Sequence, residues 1–158
     1  MIEVVLLDVD GILTDGSVYV DASGAETKKI LFDDIDAIFE LKRSGIKIGF
    51  ITGEDNKFCQ YVRNRFSPDY FISGCKDKLV ACKNLIKEEG FLLDSICYAG
   101  DSKKDIGLLN FVPLSFAPAD VDSDIQLSAK IILRKGRGHG VIKELAEYIL
   151  NNKNNSSF

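Results

Sequence analysis

The chain opens on Ile2-Glu3-Val4-Val5-Leu6-Leu7, an almost unbroken apolar run that stops at the acids of Asp8-Val9-Asp10. A run this short, rich in β-branched residues and without alternation, reads as a strand buried on both faces, as in parallel sheets. Apolar stretches at 18–20 and 29–32 flank Asp21-Ala22-Ser23-Gly24, and turn residues between two such stretches predict a β-hairpin. Asp33 or Asp34 is placed to cap a helix running to Ser44, with Lys42 and Arg43 suited to its C-terminal dipole and Gly45 as its stop. Strand and helix patterns then alternate. Strands are expected at 46–51, 70–72, 95–99, 113–116 and 131–133, and helices at 55–66, 78–89, 103–110 and 141–150. Such alternation predicts an α/β fold, a parallel sheet with helices on both faces. One domain is expected over 1–150, and the polar stretch 151–158 reads as a disordered tail.

Composition narrows the class without changing this picture. A chain of 158 residues suffices for one well-filled core. No apolar run is long enough to span a bilayer, and no export leader is visible at the start, so a cytoplasmic protein without membrane contact is expected. A net charge of −4 argues against the broad cationic footprint that nucleic acid requires, yet leaves room for a small anionic ligand held by a few local cations. The four cysteines (Cys59, Cys75, Cys82 and Cys97) show no C-x-x-C spacing and the one histidine is His139, so no zinc site is expected and the thiols read as free. Cys97, inside an apolar run, reads as a core residue.

Candidate chemistry gathers just after strand ends: Asp8 and Asp10, then Thr52, then Asp101. In open α/β sheets the carboxyl ends of the strands converge on the ligand crevice. Two carboxylates two positions apart on extended chain point to opposite faces unless the strand ends between them, and Gly11 permits such a break. A lone D-x-D serves equally well as a turn or helix cap. Thr52-Gly53 offers a hydroxyl and an amide to a phosphoryl oxygen, although Thr-Gly is commonly a plain turn. Lys78, in Gly74-Cys75-Lys76-Asp77-Lys78-Leu79, opens a helix, where most lysines are merely solvated. Asp101 follows Gly100 at a strand end, a common place for a cap.

Together these segments are more specific than any one of them. The string D-V-D-G-I-L-T-D-G resembles the first motif, D-x-D-x-[TV], of the phosphatases in the haloacid dehalogenase superfamily. Thr52-Gly53 is similar to the second motif, the G-x-x-D-K-L segment to the third, and Gly100-Asp101-Ser102-Lys103-Lys104-Asp105 to the fourth, G-D-x-x-x-D. The resemblance implies a Rossmann-like sheet and a Mg²⁺-dependent phosphatase. Asp8 is then the nucleophile that forms an aspartyl phosphate, and Asp10 the general acid/base. Thr52 and Gly53 bond the phosphoryl group, and Lys78, with Lys76 as the fallback, neutralises it. Mg²⁺ is implied to sit on the Asp8 carboxylate, the Asp10 backbone carbonyl and Asp101, with Asp105 supporting that shell or orienting Lys78. Ser102 departs from the pattern, since many relatives carry a second Asp there.

Between Asp10 and Thr52 there is room only for a hairpin and one helix, so no cap domain is expected. Over about residues 2–150 the chain resembles the small uncapped phosphatases of 3-deoxy-D-manno-octulosonate 8-phosphate and of nonulosonate 9-phosphates. This implies a phosphorylated sugar acid as substrate. It also implies a homotetramer built through the hairpin flap at about 16–32, in which a neighbour closes each site; an unpaired strand edge favours such contacts. Octulosonate enzymes usually read T-G-R where this chain reads Thr52-Gly53-Glu54. The T-G-E form is similar to the nonulosonate enzymes, whose Glu and nearby cations contact the sugar acid, which points to Glu54, Arg63 and Arg65 and to a nonulosonate 9-phosphate. Asp36-Ala37-Ile38-Phe39 stands where relatives have D-G-x-G, placing Asp36 beside the pocket floor. Lys135-Gly136-Arg137-Gly138-His139-Gly140 resembles the family's glycine-rich loop, which puts Arg137 at the site mouth and gives His139 no catalytic part. Two other readings compete. A receiver-type phosphoacceptor domain shares the acids, Thr and Lys, but has a helix where this chain has a hairpin. A non-catalytic homologue is kept open by Ser102, Ala37 and Phe39.

Overall fold

The structure is a computed structural model and describes residues 1–155. In chain order its elements are β1 (Val4–Leu7), β2 (Tyr19–Val20), β3 (Glu26–Thr27), α1 (Phe32–Arg43), β4 (Lys47–Ile51), α2 (Lys57–Phe66), β5 (Tyr70–Ile72), α3 (Lys78–Glu89), β6 (Ile96–Ala99), α4 (Ile106–Phe111), β7 (Leu114–Ala117), α5 (Ser123–Ser128), β8 (Ile131–Ile132) and α6 (Val141–Asn155). Six strands form one parallel sheet in the order β5-β4-β1-β6-β7-β8, while β2 and β3 make a separate two-stranded flap. No cap domain is present among the described residues, and no helix among them is long and apolar enough to cross a membrane.

The apolar opening run lies at the centre of the sheet, with Val4 paired to Lys47 on one side and Ile96 on the other. All four β1 residues are fully buried. Val5 and Leu7 share one face with Ile35, Ile38 and Leu41 of α1 and Ile142, Leu145 and Ile149 of α6. Val4 and Leu6 share the other with Cys82 and Leu85 of α3, Leu108 and Leu109 of α4, and Ile125 of α5. A strand with cover on both sides needs apolar residues at every position, and each fully buried aliphatic side chain contributes about 1.5–3 kcal/mol. The four cysteines are free, and Cys97 lies in the core.

Several boundaries differ from expectation for local reasons. The hairpin pairs Tyr19–Val20 with Glu26–Thr27, not with the apolar stretch at 29–32. Asp21 closes the turn tightly: its Oδ1 accepts from the Ser23 and Ala25 amides and the Ser23 hydroxyl, so pairing resumes at once. Neither Asp33 nor Asp34 caps α1, which starts from Leu31 without a side-chain cap. Asp34 turns instead to α6, accepting from the Lys143 amide at 2.9 Å. Helix α2 begins at Lys57 rather than at 55, because Asn56 caps it, accepting from the Cys59 amide at 3.1 Å. The six-residue helix α5 carries too little apolar pattern to announce itself. Helix α6 runs on to Asn155, so 151–155 continue a helix; the rest of the expected tail, 156–158, lies outside the described residues.

Candidate active site

The carboxyl ends of β1, β4 and β6 and the first turn of α3 meet at one place. The Asp8 amide still bonds the Ala99 carbonyl at 3.0 Å, so Asp8 is fixed by the last rung of the sheet. The chain then turns sharply through Val9–Leu13, with Gly11 at a φ of +90°. That turn separates the two acids of the D-V-D segment. It also requires glycine, because a Cβ on Gly11 would overlap the Asp101 carboxylate. Thr52 is held by its amide on Ile72 O at 2.9 Å, and Lys78 opens α3 beside the cap Asp77, which accepts from the Val80 amide at 3.0 Å.

Lys78 ties the cluster together. Its ammonium lies 2.9 Å from Asp8 Oδ1 and 2.7 Å from Asp105 Oδ1. The buried Tyr98 hydroxyl donates to the same Asp105 oxygen at 2.6 Å. Asp105 Oδ2 accepts from the Asp101 and Ser102 amides, each at 2.9 Å, and from the Ser102 hydroxyl at 3.2 Å. Both Asp105 oxygens are therefore engaged, one by Lys78 and Tyr98 and the other by the Asp101–Ser102 turn. Burial opposes the charge on Asp105, but Lys78 and the Tyr98 hydroxyl outweigh it and hold the carboxyl below the usual range. Burial also opposes the charge on Lys78, and the Asp8 and Asp105 carboxylates overcome it and raise its pKa. Asp8 goes the other way. Burial pushes its carboxyl well up despite Lys78, helped by the neighbouring charges of Asp105 and Asp101. Asp101 is raised to about 6, by burial first and then by Asp105.

Carboxylate oxygens of Asp8, Asp101 and Asp105 all lie within 4.8 Å of one another, all three residues buried, against the single ammonium of Lys78. Arg137 adds partial relief, with Nη1 3.7 Å from Asp101 Oδ2. Asp101 Oδ1 remains buried with no hydrogen-bond partner. An orphaned carboxylate oxygen in a site with excess negative charge fits a hard divalent cation. Asp8 and Asp101 have the oxygens to offer one. Around them an open cavity of about 440 Å³ is lined by Asp10, Gly16, Thr52, Gly53, Glu54, Lys103, Lys104 and Arg137, together with Asp8, Lys78, Asp101 and Ser102.

This geometry can be set beside known proteins. A family model described as haloacid dehalogenase-like hydrolase matches residues 70–145. The chain is 29% identical over 156 residues to the 3-deoxy-D-manno-octulosonate 8-phosphate phosphatase KdsC of Haemophilus influenzae, covering 99% of this chain and 87% of that one. It is 30% identical over 153 residues to N-acylneuraminate cytidylyltransferase A of Danio rerio, covering 95% of this chain and 35% of that one. A crystal structure of 3-deoxy-D-manno-octulosonate 8-phosphate phosphatase from Moraxella catarrhalis, in complex with magnesium ion, phosphate ion and KDO, matches with a TM-score of 0.92. Its sequence is 30% identical, and the match covers 98% of this chain and 88% of that one. The chain belongs to the haloacid dehalogenase-like hydrolases.

As a haloacid dehalogenase-like hydrolase it is a phosphoric monoester hydrolase, which sets aside the receiver reading. The residues implied by the four family motifs come together here: Asp8, Asp10, Gly11, Thr52, Gly53, Lys78, Asp101 and Asp105. Lys76 is exposed and is not among the cavity residues, so Lys78 alone occupies the motif's position. Of the expected sugar contacts, Glu54 and Arg137 line the cavity. Arg63 sits on α2 with its guanidinium 4.6 Å over the Phe71 ring, and Arg65 and Asp36 are exposed on their helices; none of the three lines the cavity. Three contributors were not foreseen. Lys28 pairs with both oxygens of Asp10, Tyr98 completes the Asp105 cluster, and Asp120 accepts from the Arg137 amide at 2.9 Å and lies 3.5 Å from its Nε. Only Tyr98 left a trace in the sequence: a tyrosine in an otherwise aliphatic buried strand needs a partner for its hydroxyl.

Proposed function

We propose that the chain hydrolyses the phosphate monoester of a 2-keto-3-deoxy sugar acid through an aspartyl phosphate. What supports this most directly is the buried Asp8 carboxylate, held 2.9 Å from Lys78 beside an Asp101 oxygen without a partner. An Asp8 oxygen bonds to phosphorus as the ester P–O bond breaks, and Asp10 gives its proton to the departing oxygen. Water then attacks phosphorus, the Asp8–phosphorus bond breaks, and Asp10 takes the water's proton. Thr52 Oγ accepts from the Glu54 amide at 3.2 Å, which leaves its own proton for a phosphoryl oxygen; the Gly53 amide adds a second donor. Lys78 balances the charge of the transferring group. Mg²⁺, the ion in the Moraxella catarrhalis structure, suits the Asp8 and Asp101 oxygens and the Asp10 backbone carbonyl, and when bound supplies charge stabilisation to the phosphoryl oxygens.

Two acids of this class have support. Similarity to octulosonate 8-phosphate phosphatases favours the eight-carbon acid. Glu54 at the cavity, and similarity to a protein named for N-acylneuraminate, favour a nonulosonate 9-phosphate, the reading preferred here. The hairpin flap is proposed to join four copies. Phosphate release in Mg²⁺ from both sugar-acid phosphates, with Asp8→Asn as control, tests the proposal. Turnover should fall by at least about 10⁴-fold in the variant, the scale seen when a nucleophile is removed. Equal release by variant and wild type would sink the mechanism, and a tenfold kcat/KM preference for the octulosonate would reverse the choice of acid.

A further inference from the structure

Lys28 lies outside all four motifs, yet the flap delivers it to the centre of the chemistry. It immediately follows β3, and its side chain is only 10% exposed. Its ammonium stands 2.9 Å from Oδ1 and 3.0 Å from Oδ2 of Asp10, and 5.1 Å over the Phe58 ring. A second anchor comes from Thr14. The Thr14 hydroxyl oxygen accepts from the Gly11 amide at 3.3 Å and the Gly16 amide at 3.2 Å, so its single proton is left for Asp10 Oδ1 at 3.2 Å. Oδ1 thus has two donors, and among the described residues Oδ2 has only Lys28. With Oδ1 saturated, Oδ2 is the oxygen with a lone pair to spare for a proton.

We infer that Lys28 is a positioning residue for Asp10: with Thr14 it fixes the carboxyl so that Oδ2 gives and takes back the proton, and it makes that step depend on an ordered flap. The inference rests on the reading of Asp10 as proton donor given above. As the Asp8–phosphorus bond forms and the ester bond breaks, the proton on Oδ2 passes to the departing oxygen; in the second half the attacking water returns one. Lys28 neither gains nor loses a proton, and a protonated Asp10 still offers it Oδ1.

The consequence depends on the leaving group. An alkoxide needs a proton to depart, whereas p-nitrophenolate leaves as the anion. Lys28→Met and Lys28→Arg are therefore compared with wild type in Mg²⁺ on whichever of the two sugar-acid phosphates the wild type turns over faster, and on p-nitrophenyl phosphate. Lys28→Met should lower kcat/KM on the sugar ester about 100-fold and on the aryl ester less than about threefold, the scale of lost acid catalysis. The loss should fall on kcat, and Lys28→Arg should recover most of it. Equal losses on both esters, no loss, or a loss carried by KM alone overturns the inference. Should Lys28→Met melt below the assay temperature, Phe58→Leu, which removes the ring beneath the ammonium, carries the test: the same skew supports the inference and parity between the esters overturns it. A wild type no faster than Asp8→Asn on either ester sinks the active-site reading instead.

Discussion

At Gly11 the backbone turns at a φ of +90° with the Asp101 carboxylate lying where a side chain would begin. Gly45 turns at a similar φ of +81° with nothing near. The pair separates backbone strain from crowding. Gly45→Ala should cost roughly 1 kcal/mol in a urea melt and leave turnover unchanged, since only the conformational penalty applies. Gly11→Ala should cost more, about 1–3 kcal/mol, and lower kcat about 100-fold by displacing Asp101. Equal turnover in the two variants would mean that the close approach does not matter. The residues legible beforehand were those in fixed strings, Asp8, Thr52, Lys78 and Asp101. Lys28 and Asp120 were not, because a lysine on a flap and an aspartate in a loop look solvated until folding supplies Asp10 and Arg137 as partners.

Among elements, the strands of the main sheet and the long helices could be read because apolar periodicity is set by burial, and burial is what the sheet imposes. The hairpin's second strand was misplaced since its exposed Glu26–Thr27 pairing leaves no apolar signal. Asp34 shows the same limit from another side: an acid near the start of α1 looks like a cap, but its partner is the amide of Lys143, far along the chain. Burial raises the Asp34 carboxyl above its ordinary value, against the pull of the backbone amides around the start of α6. A carboxyl raised in the folded state contributes fully below its unfolded value, about 3.9, and that contribution is lost as pH rises through the folded value. The stability difference between wild type and Asp34→Asn should therefore shrink in favour of the variant as pH rises from about 4. Paired urea melts across that range check it, and a difference moving the other way would show that the α6 amides dominate.

For the molecule as a whole, the flap is an element with adjacent exposed apolar side chains. Val18, Tyr19 and Val20 are 45%, 58% and 61% exposed on a sheet of only two short strands. Two strands alone are marginal in water, and an apolar strand edge of this kind gains from a partner. On the tetramer proposed above, Tyr19→Asp with Val20→Asp should reduce the solution mass from four chains toward one while far-UV circular dichroism stays unchanged. A wild-type monomer in sedimentation would remove the tetramer. The central place of β1 has a consequence for synthesis. The strand that carries Asp8 is made well before its second neighbour, so Val4–Leu7 cannot be flanked on both sides until Ile96–Ala99 has left the ribosome. Such non-local pairing is slow to form, because a long loop must close before any contact rewards it. Until β6 docks, the nascent chain exposes a wholly apolar edge, and β6 also delivers Asp101. Protection of that edge and assembly of the acidic cluster therefore arrive in the same folding event.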